Sequence, residues 1–260
     1  MIIAVDIGNT NIVVGCFKDD KILFIERIST NITKTCFEYA VVLKNLIEIH
    51  KCKQEEIEGS IISSVVPNLT EVIKNAVEQV TGKEPIVIGP GVKTGLKIMI
   101  DDPAQLGADL VVDSVAGIAE YHVPLVIFDL GTATTICVID KNKNYLGGMI
   151  IPGVEISLNS LVTRTSQLPK INLEPPRKLI GSNTIDAMKS GIMYSTACGI
   201  DGMIEKIEKE LGEKVTVVAT GGIAKKIIPL CQREIILDDE LLLKGLRIIY
   251  YKNIMEKGKL

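Results

Sequence analysis

Apolar residues open the chain in two short runs, Ile2–Gly8 and Asn11–Phe17, with Gly8-Asn9-Thr10 between them. Runs of this length bounded by turn residues predict strands, and Lys21–Ile28, behind the Lys18-Asp19-Asp20 turn, predicts a third. From about Thr35 the spacing changes. Phe37, Val41, Leu43, Leu46 and Ile47 recur mostly three or four apart, which predicts one face of an amphipathic helix, and Thr35 with Glu38 predicts a capping box at its start. Gly59–Val66 predicts a buried strand stopped by Pro67, Leu69–Val80 a second helix, and Glu84–Ile88 a short strand. The Gly- and Pro-rich stretch Gly89–Pro103 then leads to a helix over about Gln105–Tyr121.

The pattern then starts again. Val123–Leu130 is an apolar run, and Thr134–Asp140 and Tyr145–Ile151 predict the next two strands. IIAVDIGNTNIVV at 2–14 aligns without a gap with LVIFDLGTATTIC at 125–137, a constant offset of 123 positions that matches Asp6 with Asp129, Gly8 with Gly131 and Asn9 with Thr132. Further on come a long helix over about Thr184–Leu211, a strand Lys214–Ala219, a helix to about Leu230, a short strand near Ile235 and a last helix from Asp238, with fraying expected along YYKNIMEKGKL. Gln167–Asn183, with three prolines, fits neither helix nor strand. Two halves of the same plan, 1–122 and 123–260, predict a duplicated α/β protein with a cleft between them.

Composition narrows the function. The chain has 260 residues, 47% of them apolar, enough for a substantial core, and a net charge of −3. A nucleic-acid surface needs a basic stripe, which this mild acidity argues against. No apolar run approaches the ~18 residues of a membrane span, and the first residues, with Asp6 inside their apolar stretch, do not read as a signal peptide. Six cysteines without a CxxC pair and only two histidines argue against zinc and for reduced thiols in a cytoplasm. Cys16 and Cys137, within strands, read as small core residues, and His50 belongs to a helix end.

The chemistry concentrates in the D-x-G turns. A tight turn after a buried strand, with Gly8 and small polar side chains, offers amide donors to phosphate oxygens, and Asp6 at the strand end can hold Mg²⁺ through water. Alternatively, Asp6 and Asn9 only satisfy turn amides. The second copy at Asp129–Thr132 favours the nucleotide reading, because two such hairpins are what a nucleotide cleft needs. Gly89–Thr94 imitates a P-loop, but it lacks the Gly before Lys93 and leads into a loop. Asp109 opens a helix, where the dipole favours an ionised carboxylate. From its position alone it reads as a helix-start acid. Asp113, one turn on and on the same helical face, can support the site, but solvent exposure or a structural bond is the expectation.

These hairpins resemble those of the acetate kinase, sugar kinase, Hsp70 and actin superfamily. Over nearly its whole length the chain is similar to type III pantothenate kinases, through DIGNTN (6–11), SSVVP (63–67), GVKTGLKI (91–98), LGAD (106–109), DLGTATT (129–135), GGMIIPG (147–153), RTSQLP (164–169), GSNT (181–184) and ATGG (219–222). The resemblance implies duplicated ribonuclease H-like halves of the actin, Hsp70 and sugar-kinase type, with mixed sheets flanked by helices. It implies ATP-dependent phosphorylation of pantothenate to 4'-phosphopantothenate, the first step of coenzyme A biosynthesis, in a cytoplasmic homodimer. By that resemblance Asp6, Ile7, Gly8, Asn9, Thr10, Asn11, Ile12, Val13 and Thr132 meet ATP, and Asp6 also stands near Mg²⁺. Asp109 accepts the proton, and Gly107, Ala108, Asp109, Leu110 and Thr184 line the substrate pocket. Asp129 holds a monovalent cation, K⁺ or NH₄⁺.

Two positions depart from the family pattern. Leu110 stands where the family has Arg, and Ile100 where an aromatic, often Tyr, is usual. Both lie on the substrate side, so weakened or altered recognition of pantothenate is expected with the ATP side intact. The competing readings are a non-catalytic accessory protein on the same fold and a nucleotide or polyphosphate hydrolase.

Overall fold

The computed structural model describes residues 1–257, which divide into two compact units. The first holds residues 1–95, 102–116 and the chain from 241; the second holds 96–101 and 117–240. The linear division at 122/123 follows the repeat of elements, whereas packing returns the end of the chain to the first unit.

In the first unit β1 (Ile2–Ile7), β2 (Asn11–Lys18) and β3 (Lys21–Ser29) form the antiparallel start. β4 (Gly59–Ser64) joins β1 in parallel and β5 (Ile86–Val87) joins β4, giving the order β3-β2-β1-β4-β5. Alternation along β1 sends Ile3, Val5 and Ile7 to one face. There they pack with α1 (Cys36–Ile49) and α2 (Pro67–Thr81) through Tyr39, Leu43, Ile73 and Val77. Thr35 and Glu38 make the expected capping box. The buried face of α1 keeps Leu43 and Ile47, with Leu46 packed beside them, but is completed by Tyr39 and Ala40 rather than by Phe37 and Val41, which are 68% and 41% exposed. Pro67 does not merely stop β4; it opens α2, where its missing N–H costs nothing. α3 (Ala108–Glu120) starts in this unit, and α7 (Leu241–Lys257) packs on β1 and β4. Fraying from Tyr250 is thereby corrected to helix as far as Lys257; the rest of that expectation lies outside the described residues.

The second unit repeats the sheet. β7 (Leu125–Leu130), β8 (Ala133–Ile139) and β9 (Asn144–Pro152) are antiparallel, and β10 (Thr216–Thr220) and β11 (Ile236–Leu237) follow in parallel. The order β11-β10-β7-β8-β9 reproduces the first sheet, and β6 (Lys97–Ile98) adds an edge strand beside β9. The sequence pattern did not predict β6 or α4 (Val154–Arg164). α5 (Thr184–Leu211) has its expected limits, capped by the Asn183 side chain and ended by Gly212 in the left-handed region. Its Met193, Ala197, Ile200 and Ile204 pack with Val126, Phe128 and Leu130. A short α6 (Ala224–Ile227) follows β10. Segment 167–183 carries no regular element, as expected.

Candidate active site

Both central strands carry a carboxylate at their penultimate position. Asp6 on β1 lies in register with Val13 of β2 and Ser63 of β4; Asp129 on β7 lies in register with Thr135 of β8 and Thr220 of β10. Register partners on neighbouring strands share a face of the sheet. By register, a hydroxyl residue stands beside Asp6 on β4, and beside Asp129 on both β8 and β10. Both acids are half-buried. Beside Asp129 the chain turns at Gly221 (φ +96°), where a Cβ would come within 2.4 Å of the Asp129 Oδ1. The residue that closes on this acid has to be glycine.

The hairpins after these strands differ in length. Four residues, Gly8–Asn11, separate the paired Ile7 and Ile12, and the Gly8 N–H donates to the Asn11 carbonyl at 3.0 Å. Only three, Gly131–Ala133, separate Leu130 from Thr134, and the Gly131 N–H donates to the Ala133 carbonyl at 3.1 Å. The gapless alignment is thus corrected. The offset of 123 holds along β1 and β7 and drops to 122 along β2 and β8. Burial follows the new register: Ile12 and Thr134 are buried, Val13 and Thr135 half-buried. Asn9, Thr10, Asn11 and Thr132 are exposed on the turns, whereas Ile7 and Ile12 point into the core. A ligand meets those two only through their backbone.

The segment behind each turn supports it. Thr30, just past β3, donates its hydroxyl to the Gly8 carbonyl at 2.6 Å and its N–H to the Thr10 carbonyl at 3.0 Å. Gly153, just past β9, packs so closely that a Cβ would lie 2.2 Å from the Thr132 carbonyl oxygen. No sequence motif singled out Thr30, and Gly153 stood inside one without a role.

Asp109 occupies the first turn of α3, with Ala108 and Leu110 half-buried beside it. The Leu110 N–H donates to its Oδ1 at 2.9 Å. A Cβ on Gly107 would lie 2.5 Å from the same oxygen, so glycine gives the carboxylate its place. Burial pushes the Asp109 carboxyl above its ordinary range and outweighs the backbone donors that pull it down. The helix-start argument for a readily ionised acid is corrected in direction. Asp113, for which exposure was one expectation, is 1% exposed.

Thr184 is the first residue of α5 and lines a cavity of about 600 Å³ with Leu161, Leu168, Asn183, Met188 and Ile192. Ile100 follows β6 and is half-buried beside Gly147. Gly89–Thr94 leads into β6 rather than a helix, which bears out the rejection of a P-loop. Cys16 and Cys137 are core residues, and burial pushes the Cys16 thiol up to about 12. His50 caps the end of α1. In sum, Asp6–Asn11 share one hairpin, Asp129 and Thr132 the other, and Gly107–Leu110 one helix start; Thr184 and Ile100 belong to separate segments of the second unit.

A family model for type III pantothenate kinase matches residues 2–206. A type III pantothenate kinase from an Exiguobacterium species is 45% identical over 253 residues, covering 97% of this chain and 99% of its own. This chain belongs to the type III pantothenate kinase family. The relative from Halalkalibacterium halodurans is 40% identical, covering 98% of this chain and all of its own. Among solved structures, the activator of 2-hydroxyisocaproyl-CoA dehydratase from Clostridium difficile with bound ADPNP superposes with a TM-score of 0.60 at 14% identity, covering 99% of this chain and 97% of that one. The pantothenate kinase fold here is therefore of the actin, Hsp70 and sugar-kinase type. Kinases of the family use ATP with a divalent metal. The donor set fits such a group: each turn presents backbone and small polar side chains, and glycines keep the space beside Asp129 and Thr132 narrow. Among the described residues no three His, Cys, Asp or Glu side chains come together. One carboxylate and the phosphates suit Mg²⁺, which keeps most of its waters.

Proposed function

We propose that this chain transfers the γ-phosphoryl group of ATP to the primary hydroxyl of pantothenate, the first step of coenzyme A biosynthesis. The observation that carries the reading is the Gly107–Asp109 corner, a carboxylate raised by burial at a helix start, in a chain 45% identical to a named type III pantothenate kinase. In this reading the turns Gly8–Asn11 and Gly131–Ala133 hold the phosphates through backbone and hydroxyl donors, with Thr132 on the nucleotide. Asp6 holds Mg²⁺ through water; when bound, the ion neutralises charge on the transferring phosphate. Asp109 orients the hydroxyl and takes its proton late, as a loose phosphoryl-transfer transition state allows. Its raised pKa makes it the better acceptor. Leu110, Ala108, Gly107, Thr184 and Ile100 face the substrate. Asp129, flanked by Thr135 and Thr220, holds K⁺ or NH₄⁺.

We also place the chain in the cytoplasm as a homodimer. Among the described residues no helix is long and apolar enough to cross a membrane. The exposed Ile150, Leu179, Ile180 and Ile185 of the second unit suit contact with a second copy. The test is a coupled assay with and without pantothenate, in K⁺ and in Na⁺, on the parent and Asp129→Asn. Turnover that requires pantothenate supports the kinase. Phosphate release without it means a hydrolase, and silence at high ATP and pantothenate means an accessory protein. A cation response unchanged in Asp129→Asn assigns that residue to structure alone.

A further inference from the structure

The two hairpins are supported from the same place by different means. In register, Ser29 pairs with Asn11 and Pro152 with Ala133, so Thr30 and Gly153 hold equivalent positions, each the first residue beyond its third strand. Gly153 supports the shorter turn by close approach, with no side chain in the way. Thr30 supports the longer turn by two hydrogen bonds, one to the carbonyl of Gly8 and one to that of Thr10. These two carbonyls bracket Asn9, at the exposed tip. Both carbonyls are thereby tied to the segment behind the turn, while Asn9 and Thr10 remain exposed.

Thr30 is itself anchored. The neighbouring Asn31 exchanges two bonds with the Tyr39 hydroxyl, which accepts from the Asn31 N–H at 3.0 Å and donates to the Asn31 carbonyl at 2.9 Å. Tyr39 is 1% exposed and belongs to the core of the first unit. A rigid path thus runs from the core through Tyr39, Asn31 and Thr30 to the phosphate turn.

We propose that Thr30 is a positioning residue for the nucleotide, acting through the Gly8–Thr10 turn and backed by Tyr39. The inference rests on the reading of that turn as the phosphate hairpin. A turn held in its binding conformation spares the nucleotide the cost of ordering it. Thr30→Val keeps the side chain's shape and removes the hydroxyl donor; Thr30→Ser keeps the donor. Calorimetry with Mg·ADP, steady-state KM values for ATP and pantothenate, and melting curves are measured on the parent and both variants.

Losing one support bond is expected to weaken Mg·ADP binding and raise the ATP KM by roughly 3- to 10-fold. The pantothenate KM should stay within about twofold, and Thr30→Ser should return to parental values. An ADP affinity in Thr30→Val equal to the parent's overturns the proposal, as does a serine variant no better than valine or an equal change in both KM values. Should Thr30→Val not fold, Tyr39→Phe keeps the buried ring and removes the anchor, and a parental ADP affinity there overturns the proposal equally. If the parent binds Mg·ADP but does not phosphorylate pantothenate, the proposed substrate falls and the Thr30 comparison still stands.

Discussion

Two opposed influences act on the Asp109 carboxylate. The Leu110 N–H favours its ionised form, while burial favours the neutral one and prevails. Its folded-state pKa therefore lies above its unfolded value, so ionisation at neutral pH works against folding, and the penalty disappears as pH falls through the folded pKa. Asp109→Asn removes that penalty together with the base. It should lower kcat by about 10²–10⁴-fold while leaving the melting temperature at pH 7 equal or higher. A kcat within about twofold of the parent would remove Asp109 as the base. The same shift places the acid limb of the parental pH–rate profile above the ordinary carboxylate range. Leu110 yields a second expectation. It is half-buried and outside both cores, so an Arg can run its stem along the helix start and carry its head to solvent. Leu110→Arg should lower the pantothenate KM about tenfold through a charge-assisted bond and leave the ATP KM unchanged. A pantothenate KM that does not move places Leu110 outside the pocket.

Strands and hairpins carry the next level. Gly153→Ala forces a methyl group against the Thr132 carbonyl, and the turn that holds Thr132 must move. Nucleotide affinity should fall roughly tenfold with the secondary structure intact by circular dichroism. Parental affinity would show that the turn yields without consequence. At this level the chain was readable where local rules decide. The α5 limits follow from Asn183 and Gly212, and the Thr35–Glu38 box from its spacing. It was unreadable where a distant partner decides. β6 is two residues long and exists through its pairing with β9; α4 buries only Val154 and Leu158. Phe37 and Val41 had helical spacing, but the sheet selected the face with Tyr39 and Leu43. The D-x-G acids were legible as strand-end carboxylates. The missing residue in the second turn was not, because the tetrads align just as well without a gap. Nor was Thr30, whose role comes from the backbone carbonyls of Gly8 and Thr10 in the preceding hairpin.

On the scale of the whole molecule, the last helix decides the integrity of the first unit. α7 rests on β1 and β4, and its Leu241, Leu243, Leu246, Ile249 and Tyr250 are all buried. Burial of five such side chains contributes roughly 10 kcal/mol, comparable to the ~5–15 kcal/mol that holds a typical domain together. A chain ended after Glu240 should therefore be insoluble or lack a cooperative melting transition. A soluble truncated form that melts like the parent would contradict this. The same seat sets an order of events at the ribosome. The first unit contains residues 1–95, yet the helix that covers its sheet spans Leu241–Lys257, and the whole second unit is synthesised in between. At ~5–20 residues per second, the nascent β1–β4 sheet waits roughly ten seconds or more for its cover. Both segments of the second unit, 96–101 and 117–240, precede α7, so that unit is free to close first, and the half that carries Asp6 and Asp109 is completed after it.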